Sequence, residues 1–205
     1  MPRDIFFDLT KKYTTDFQLT QRLWIEIEKK YSAPDRHYHT RSHLENLISQ
    51  LEEVKTQIHD WDSVLFAVFY HDVIYKATSK NNEEKSADLA RKRLREINIP
   101  QGKSLKCTDM ILATKKHLKT GDNDTDLFID ADLSILGQSW DVYATYFHQV
   151  RKEYSIYPDF IYNPGRKKVL NGLLQMERIY KSMYFYDKLE AKARQNLARE
   201  MESYS

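Results

Sequence analysis

Residues 64–70 form a run that is too apolar to lie on a surface, and this run ends directly in His71-Asp72. Because it has no polar face at either the helical or the strand period, we expect it to be buried on all sides. Two titratable side chains at its end are costly to bury unless something compensates them. A metal ion is a common compensation for an imidazole beside a carboxylate. Taken alone, however, the pair better fits a histidine that caps a helix and an aspartate that begins the next turn.

The composition limits the classes of protein to which the chain can belong. Its 205 residues are enough for one well-buried domain. Five Gly, five Pro and 30% charged residues are typical of a helical globular protein. The formal net charge of +2 gives no reason to expect nucleic acid or an anionic membrane as the main partner. The composition is compatible with either a monomer or a homodimer.

Three further features predict a cytoplasmic protein. The single cysteine, Cys107, cannot form an internal disulfide and fits a reducing compartment. No stretch approaches the roughly 18 consecutive apolar residues of a membrane span. The first residues include Asp4 and lack the apolar core and small-residue cleavage site of a signal peptide.

The helical spacing of apolar residues predicts an all-α chain. The clearest stripe consists of Leu44, Leu47, Ile48, Leu51, Val54 and Ile58. Further helices are predicted over about residues 16–31, 104–118 and 143–154, with a last helix from about residue 187. A break between helices is predicted at Pro158, Pro164 and Gly165. Since neither an alternating strand pattern nor a repeat is visible, we expect a single all-α domain.

Four places in the chain share one anomaly, a metal-competent side chain at an apolar position. They are His43 with His39 one turn before it, His71-Asp72, His117, and Asp132 with Asp130 before it. Two imidazoles and two carboxylates suit Mn²⁺, Fe²⁺, Zn²⁺ or Mg²⁺. Such an ion can activate water and polarise a phosphoryl oxygen. The spacing along the chain does not by itself show that these side chains converge.

The order His43, His71-Asp72, Asp132 resembles the signature of the HD superfamily of metal-dependent phosphohydrolases. In detail it is similar to that superfamily's small bacterial-type branch of predicted phosphohydrolases. The similar blocks are residues 38–43, 69–72, 82–87 and 130–137, and the first of them has the pattern Tyr-His-x-x-x-His. By this resemblance residues 38–137 would carry the metal site. Helices over residues 139–205 would then complete one HD-type bundle of residues 1–205.

The resemblance also implies roles for individual residues. His43, His71, Asp72 and Asp132 would bind the metal, and Asp72 would thereby take part in catalysis. His39 matches the histidine that protonates the leaving oxygen in cyclic-nucleotide phosphodiesterases. Glu83 matches an acidic position that orients water or substrate in relatives. For both His39 and Glu83, hydrogen bonding at a helix start is the competing interpretation.

The chain departs from the two-metal members of the superfamily, which supply extra histidines between the His-Asp pair and the last aspartate. Here His117 alone lies in that interval. We therefore expect one tightly bound ion, while a second, weaker ion bridged by Asp72 and touched by His117 stays open. Asp130 is expected to cap a helix or to orient a metal-bound group rather than to bind the metal.

Candidate phosphate-binding residues are Arg41, Lys80, Lys115, Lys116 and Arg166. Charged residues on helices usually form a solvated face, and Arg41 stands out because it lies inside the histidine motif. The abundant tyrosines of residues 143–154 are expected to belong to the core.

Together these features predict a metal-dependent hydrolase of a phosphate ester or anhydride. The predicted substrate is a nucleotide or another small phosphorylated metabolite. Two alternatives are kept. One is a di-iron oxygenase of the HD type, and the other is a non-catalytic module that binds a nucleotide or a protein.

Overall fold

The apolar periodicity of the chain produces ten α-helices and two short 3₁₀ helices, with no strand, over residues 1–204, the part that this computed structural model describes. The α-helices are α1 (Pro2–Thr10), α2 (Phe17–Tyr31), α3 (Arg41–Glu52), α4 (Trp61–Tyr70), α5 (Asn82–Glu96), α6 (Gln101–Ala113), α7 (Asn123–Asp132), α8 (Trp140–Glu153), α9 (Asp159–Leu174) and α10 (Met183–Glu202). The 3₁₀ helices are Lys55–Gln57 and Leu133–Gly137. The all-α, single-domain prediction is confirmed.

Helix α4 lies at the centre of the bundle. Every residue from 63 to 70 is buried, as its uniform apolar sequence predicts. Asp60 caps the start of the helix, because its side chain accepts a hydrogen bond from the Ser63 N–H. Helices α1, α3, α5, α6 and α7 all contact it. Its last turn therefore delivers His71 into the interior.

Helices α3, α4 and α7 contact one another pairwise and bring three candidate site residues together. His43 lies in the first turn of α3, His71 directly follows α4, and Asp132 is the last residue of α7. The start of α7 is tied to the start of α4 by the buried Asp124, which accepts the N–H groups of His59 and Asp60. These contacts fix how the ends of α4 and α7 approach α3.

Three helix bounds differ from the sequence prediction. Helix α6 ends at Ala113, before the predicted end at residue 118. Helix α9 runs through Pro164 and Gly165, where a break was predicted. The carbonyl that Pro164 leaves without a donor belongs to Phe160, which is exposed, so water can satisfy it. Helix α10 begins at Met183, because Ser182 caps it by accepting the Phe185 N–H.

The second 3₁₀ helix is pressed against α10. A Cβ atom added to Gly137 would lie 2.6 Å from the Cβ atom of Leu189, so glycine is required at this contact. This close approach places the C-terminal helix directly behind the end of α7. Within the described residues, no helix is long and apolar enough to cross a membrane.

Candidate metal centre

His43, His71 and Asp132 converge on one buried point. The two imidazole Nε2 atoms are 3.0 Å apart. The Asp132 Oδ1 atom lies 3.3 Å from His43 Nε2 and 3.7 Å from His71 Nε2. Both histidines are buried and Asp132 is half-buried, so the three form a buried His/His/Asp group that could hold a metal ion.

Asp72 extends this group toward solvent. Its Oδ2 atom lies 3.2 Å from His71 Nε2 and 4.0 Å from His43 Nε2. Its side chain keeps 18% of its surface exposed, whereas that of His71 keeps 1%. Asp72 therefore stands at the accessible edge of the cluster, next to both imidazoles.

The spacing of these atoms suits a single divalent ion. Atoms that bind one ion at about 2.1 Å lie roughly 3.0 Å apart at right angles and roughly 3.4 Å apart in a tetrahedron. The His71 Nδ1 atom lies 2.9 Å from the Val68 carbonyl oxygen and donates its proton there. This bond fixes the tautomer and turns the Nε2 lone pair toward the cluster, as metal-binding histidines require. The residues present therefore fit a metal ion.

The electrostatics of the cluster favour ionised carboxylates. Burial opposes ionisation of Asp132, but His117, His43 and His71 outweigh it and hold its pKa well below the usual range. The pKa of Asp72 is likewise lowered by His71 and His39 against the effect of burial. Burial would lower the pKa of His71, yet Asp72 and Asp132 raise it to about 9. A metal ion must therefore displace a proton from His71, so metal affinity should rise with pH.

His39 is held beside the cluster by Glu153, a residue that the sequence analysis missed. The Glu153 Oε1 atom accepts the backbone N–H groups of His37, Tyr38 and His39, and its Oε2 atom lies 2.7 Å from His39 Nδ1. The other ring nitrogen of His39 lies 3.8 Å from Asp72 Oδ2. Glu153 thus fixes both the loop and the ring of His39.

A signal for Glu153 exists in the sequence. It follows Val150 by three residues and Tyr146 by seven, so it continues the apolar stripe of α8. A carboxylate at an apolar position is the same anomaly that identified Asp132. Because Glu153 lies outside the resembling blocks, only this periodicity could have revealed it.

His117 also reaches the cluster. Its Nε2 atom lies 3.3 Å from Asp132 Oδ2, on the side of that carboxylate away from His43. Its backbone has a φ of +50°, an uncommon conformation for a residue with a side chain. The early end of α6 and this left-handed residue together position the imidazole next to Asp132.

Asp130 lies outside the cluster, and of the two roles expected for it, its hydrogen bonds fit the capping of a helix. Its carboxylate accepts the N–H groups of Lys181 and Ser182 and the Ser182 hydroxyl. These donors stand at the start of α10. Within the described residues, all the hydrogen bonds to its carboxylate therefore come from the two residues that precede α10, and none from an imidazole.

The candidate phosphate-binding residues are mostly engaged elsewhere. Arg166 is buried and binds Glu200 through two nitrogens, at 2.7 and 2.8 Å, which corrects its assignment to substrate binding. Arg41 pairs with Glu28 at 2.9 Å. Lys115 pairs with Glu84 and donates to the Lys80 carbonyl.

Two of the expected residues lie near Lys115 at the start of α5. Glu83 is half-buried, and its Oε2 atom lies 4.0 Å from Lys115 Nζ. The side chain of Lys80 is exposed. Of the candidate cations, Lys80 and the equally exposed Lys116 are thus the two without a carboxylate partner in the described residues.

Comparison with known proteins assigns the chain to no family. No protein-family model matches the chain, and neither the curated proteins nor the solved structures contain a significant match. Membership of the HD superfamily therefore stays a prediction from the sequence blocks.

Proposed function

We propose that the protein is a metal-dependent phosphohydrolase of the HD type that cleaves a phosphate ester or anhydride of a nucleotide or small phosphorylated metabolite. The observation that carries the proposal is the convergence of His43, His71 and Asp132 on one buried point, with Asp72 beside them. These are the residues that the sequence blocks predict to bind the metal. They come from three separate helices, so their meeting is not a consequence of local sequence spacing.

His43, His71, Asp72 and Asp132 would hold the ion in this proposal. When bound, the ion supplies an activated water and polarises a phosphoryl oxygen. Because His43 and His71 are buried, water screens the charge interactions at their ring nitrogens less than it would at the surface. Asp72, at the accessible edge, would face the substrate phosphate.

His39 has the properties of a proton donor to the leaving group. Burial would lower its pKa, but Asp72 and Glu153 outweigh burial and raise it. Its Nδ1–H donates to Glu153, so the protonated ring presents its Nε2–H on the side of Asp72. A proton held at that atom can pass to the oxygen of the departing alcohol or phosphate.

Glu83 and Lys115 are given supporting roles in this proposal. Their side chains are close enough to orient each other, and both are accessible. In the proposal Glu83 orients water or substrate, while Lys80 and Lys115 contribute positive charge.

Metal analysis followed by a phosphatase and phosphodiesterase panel tests the proposal. We expect turnover with at least one of Mn²⁺, Mg²⁺, Fe²⁺ and Zn²⁺, and its loss in Asp72→Ala. The exposed Asp109 on α6 provides the matched control, since Asp109→Ala should keep full activity. A folded, metal-loaded protein that is inert across the panel would overturn the proposal. Thermal stabilisation by a nucleotide without turnover would favour the non-catalytic module.

A di-iron oxygenase is a second candidate because of one contact. His117 lies 3.3 Å from the Asp132 oxygen that faces away from His43, which is where a second ion would need a ligand. Two irons per chain together with oxygen consumption would support this candidate. About one metal per chain would exclude it.

A further inference from the structure

Two adjoining cavities open next to the cluster, and they share five wall residues: Tyr38, His43, Asn46, Ile135 and Val142. The first has a volume of about 140 Å³ and is also lined by Asp132. The second has a volume of about 400 Å³ and extends between α3 and α8. We refer to both together as the α3–α8 cleft. Because two metal-binding candidates lie in its wall, a group in this cleft would sit next to the ion.

The walls of the α3–α8 cleft are almost free of charge. Among the described residues that line it, Asp132 is the only carboxylate, and there is no lysine or arginine. Charged residues make up 30% of the chain, so this neutrality is a local property. A cavity of about 760 Å³ between α5 and α6 provides the contrast, since Arg91, Lys92 and Arg95 line it.

Hydrogen-bonding groups in the cleft are amides and hydroxyls. The main ones are Ser42, Asn46, Ser49, Gln50, Gln138 and Gln149. An amide side chain both donates and accepts, so it recognises neutral groups that do the same. Tyr38, Ile135 and Val142 add apolar surface that can cover a flat face.

The register of α3 connects these amides to the metal site. Asn46 lies three residues after His43, and Gln50 lies seven residues after His43, so the three share one face of the helix. Asn46 is exposed and lines both cavities. It is therefore the hydrogen-bonding residue best placed to contact a substrate whose phosphate lies at His43.

We infer that the α3–α8 cleft binds the organic part of the substrate and that this part is an uncharged, hydrogen-bonding nucleoside with a single phosphate. This inference rests on the proposed function. Additional phosphates would need lysine or arginine partners, which the cleft walls do not offer. A neutral alcohol matches both the amides and the apolar surface. Asn46 is then a specificity-determining residue.

Three phosphate compounds test the substrate class. We expect kcat/KM for adenosine 5′-monophosphate to exceed that for adenosine 5′-triphosphate and for methyl phosphate by about tenfold or more, since one or two additional hydrogen bonds correspond to such a factor. Methyl phosphate keeps the ester but lacks a group to fill the cleft. Equal kcat/KM for the three compounds would overturn the inference.

Substitutions on α3 test the role of Asn46 in substrate specificity. Asn46→Ala should raise KM for adenosine 5′-monophosphate about threefold to tenfold and leave kcat and methyl phosphate hydrolysis unchanged. Asn46→Lys should reduce the preference for the monophosphate over the triphosphate. The neighbouring exposed Glu45 is the control, because Glu45→Ala should change neither the KM for adenosine 5′-monophosphate nor the preference for the monophosphate. An equal effect of Asn46→Ala on methyl phosphate would contradict the assigned role.

Calorimetry with adenosine on the chelator-treated protein separates this inference from the proposed function. Binding that Asn46→Ala weakens about threefold or more, and that Glu45→Ala leaves intact, supports the cleft even if no ester is hydrolysed. Absence of adenosine binding to the wild-type protein would overturn the inference. Absence of turnover with intact adenosine binding would overturn the proposed function alone.

Discussion

Asp130 and Asp132 lie two residues apart on α7, and their carboxylates have opposite surroundings. Asp130 meets the N–H and O–H donors at the start of α10. Asp132 meets the imidazoles of His43 and His117. Burial raises the pKa of Asp130 to about 6, whereas the three nearby histidines lower the pKa of Asp132 despite burial. The two residues have the same chemistry and nearly the same position, so their partners alone determine their roles.

The difference shows which contacts distinguish a structural anchor from a candidate metal-binding residue. A carboxylate surrounded by N–H donors has its acceptor capacity filled by protein and needs no ion. A carboxylate surrounded by imidazole nitrogens, which can themselves bind a metal, could instead bind an ion together with those imidazoles. Glu153 belongs with Asp130 by this criterion, because three backbone N–H groups fill one of its oxygens.

The largest effect should come from exchanging the two aspartates for asparagine in turn. Asp132→Asn should lower kcat/KM by about a thousandfold or more, since roughly 4 kcal/mol of metal-dependent stabilisation would be lost. Asp130→Asn should keep the metal and most of the activity. Metal content by elemental analysis and phosphate release measure the two outcomes. If both variants lost the metal equally, the comparison between them would fail.

The next effect concerns the charge of Glu153. Its pKa is lowered from 4.5 to about 2 by His39 and by backbone N–H groups, against the effect of burial. The ionised form therefore stabilises the fold, and this gap corresponds to about 3 kcal/mol. That contribution is present above pH 4.5 and is lost as the pH falls from about 4.5 through about 2.

Glu153→Gln should accordingly unfold more easily than the wild-type protein at pH 7, and the difference should shrink below pH 4.5. Urea unfolding of both proteins, with a chelator present, measures the difference at each pH. A difference that does not vary with pH would show that the anchor acts through its shape and not its charge.

A smaller effect should follow from removing the Asp130 side chain. Asp130→Ala leaves the N–H groups of Lys181 and Ser182 without their acceptor, which should lower the free energy of unfolding by about 2 kcal/mol. The metal content should not change. Thermal unfolding with and without chelator checks both points. If chelation no longer lowered the melting temperature of this variant, Asp130 would belong with the metal-binding residues.

The smallest effect is expected at Arg41, which pairs with Glu28 at a half-exposed position. Arg41→Gln should change the free energy of unfolding by less than about 0.5 kcal/mol, because solvent screens such pairs. The control is Glu28→Gln, which removes the partner and frees Arg41. A large rise in KM in Arg41→Gln alone would restore its predicted contact with the substrate phosphate.

Much of the fold was predictable because the helices follow simple apolar periods. Helix α2 was predicted over about residues 16–31 and is found at Phe17–Tyr31. The prediction failed at Pro164, where the helix continues although proline removes one hydrogen bond and crowds the Phe160 carbonyl; the exposure of Phe160 lets water satisfy that carbonyl. It also failed at the end of α6, where His117 adopts a positive φ that its residue type does not indicate.

For the candidate site, the sequence predicted which residues are anomalous but not which of them meet. His43, His71, Asp72 and Asp132 were chosen as carboxylates or imidazoles at apolar positions, and they come together. Arg166 was chosen for its charge alone, and the buried Glu200 that binds it lies 34 residues away in sequence. Such long-range partners are determined by helix packing, which no local pattern encodes.

The hydrogen bonds of Glu153 have a consequence for the order in which the site forms during synthesis. All four proposed metal-binding residues precede residue 133, but the carboxylate that holds His39 follows 114 residues after that histidine. A growing chain therefore acquires all four proposed metal-binding residues before it acquires Glu153, which anchors the proposed proton donor. In the proposed function, His39 would be positioned to act only after α8 has left the ribosome and docked.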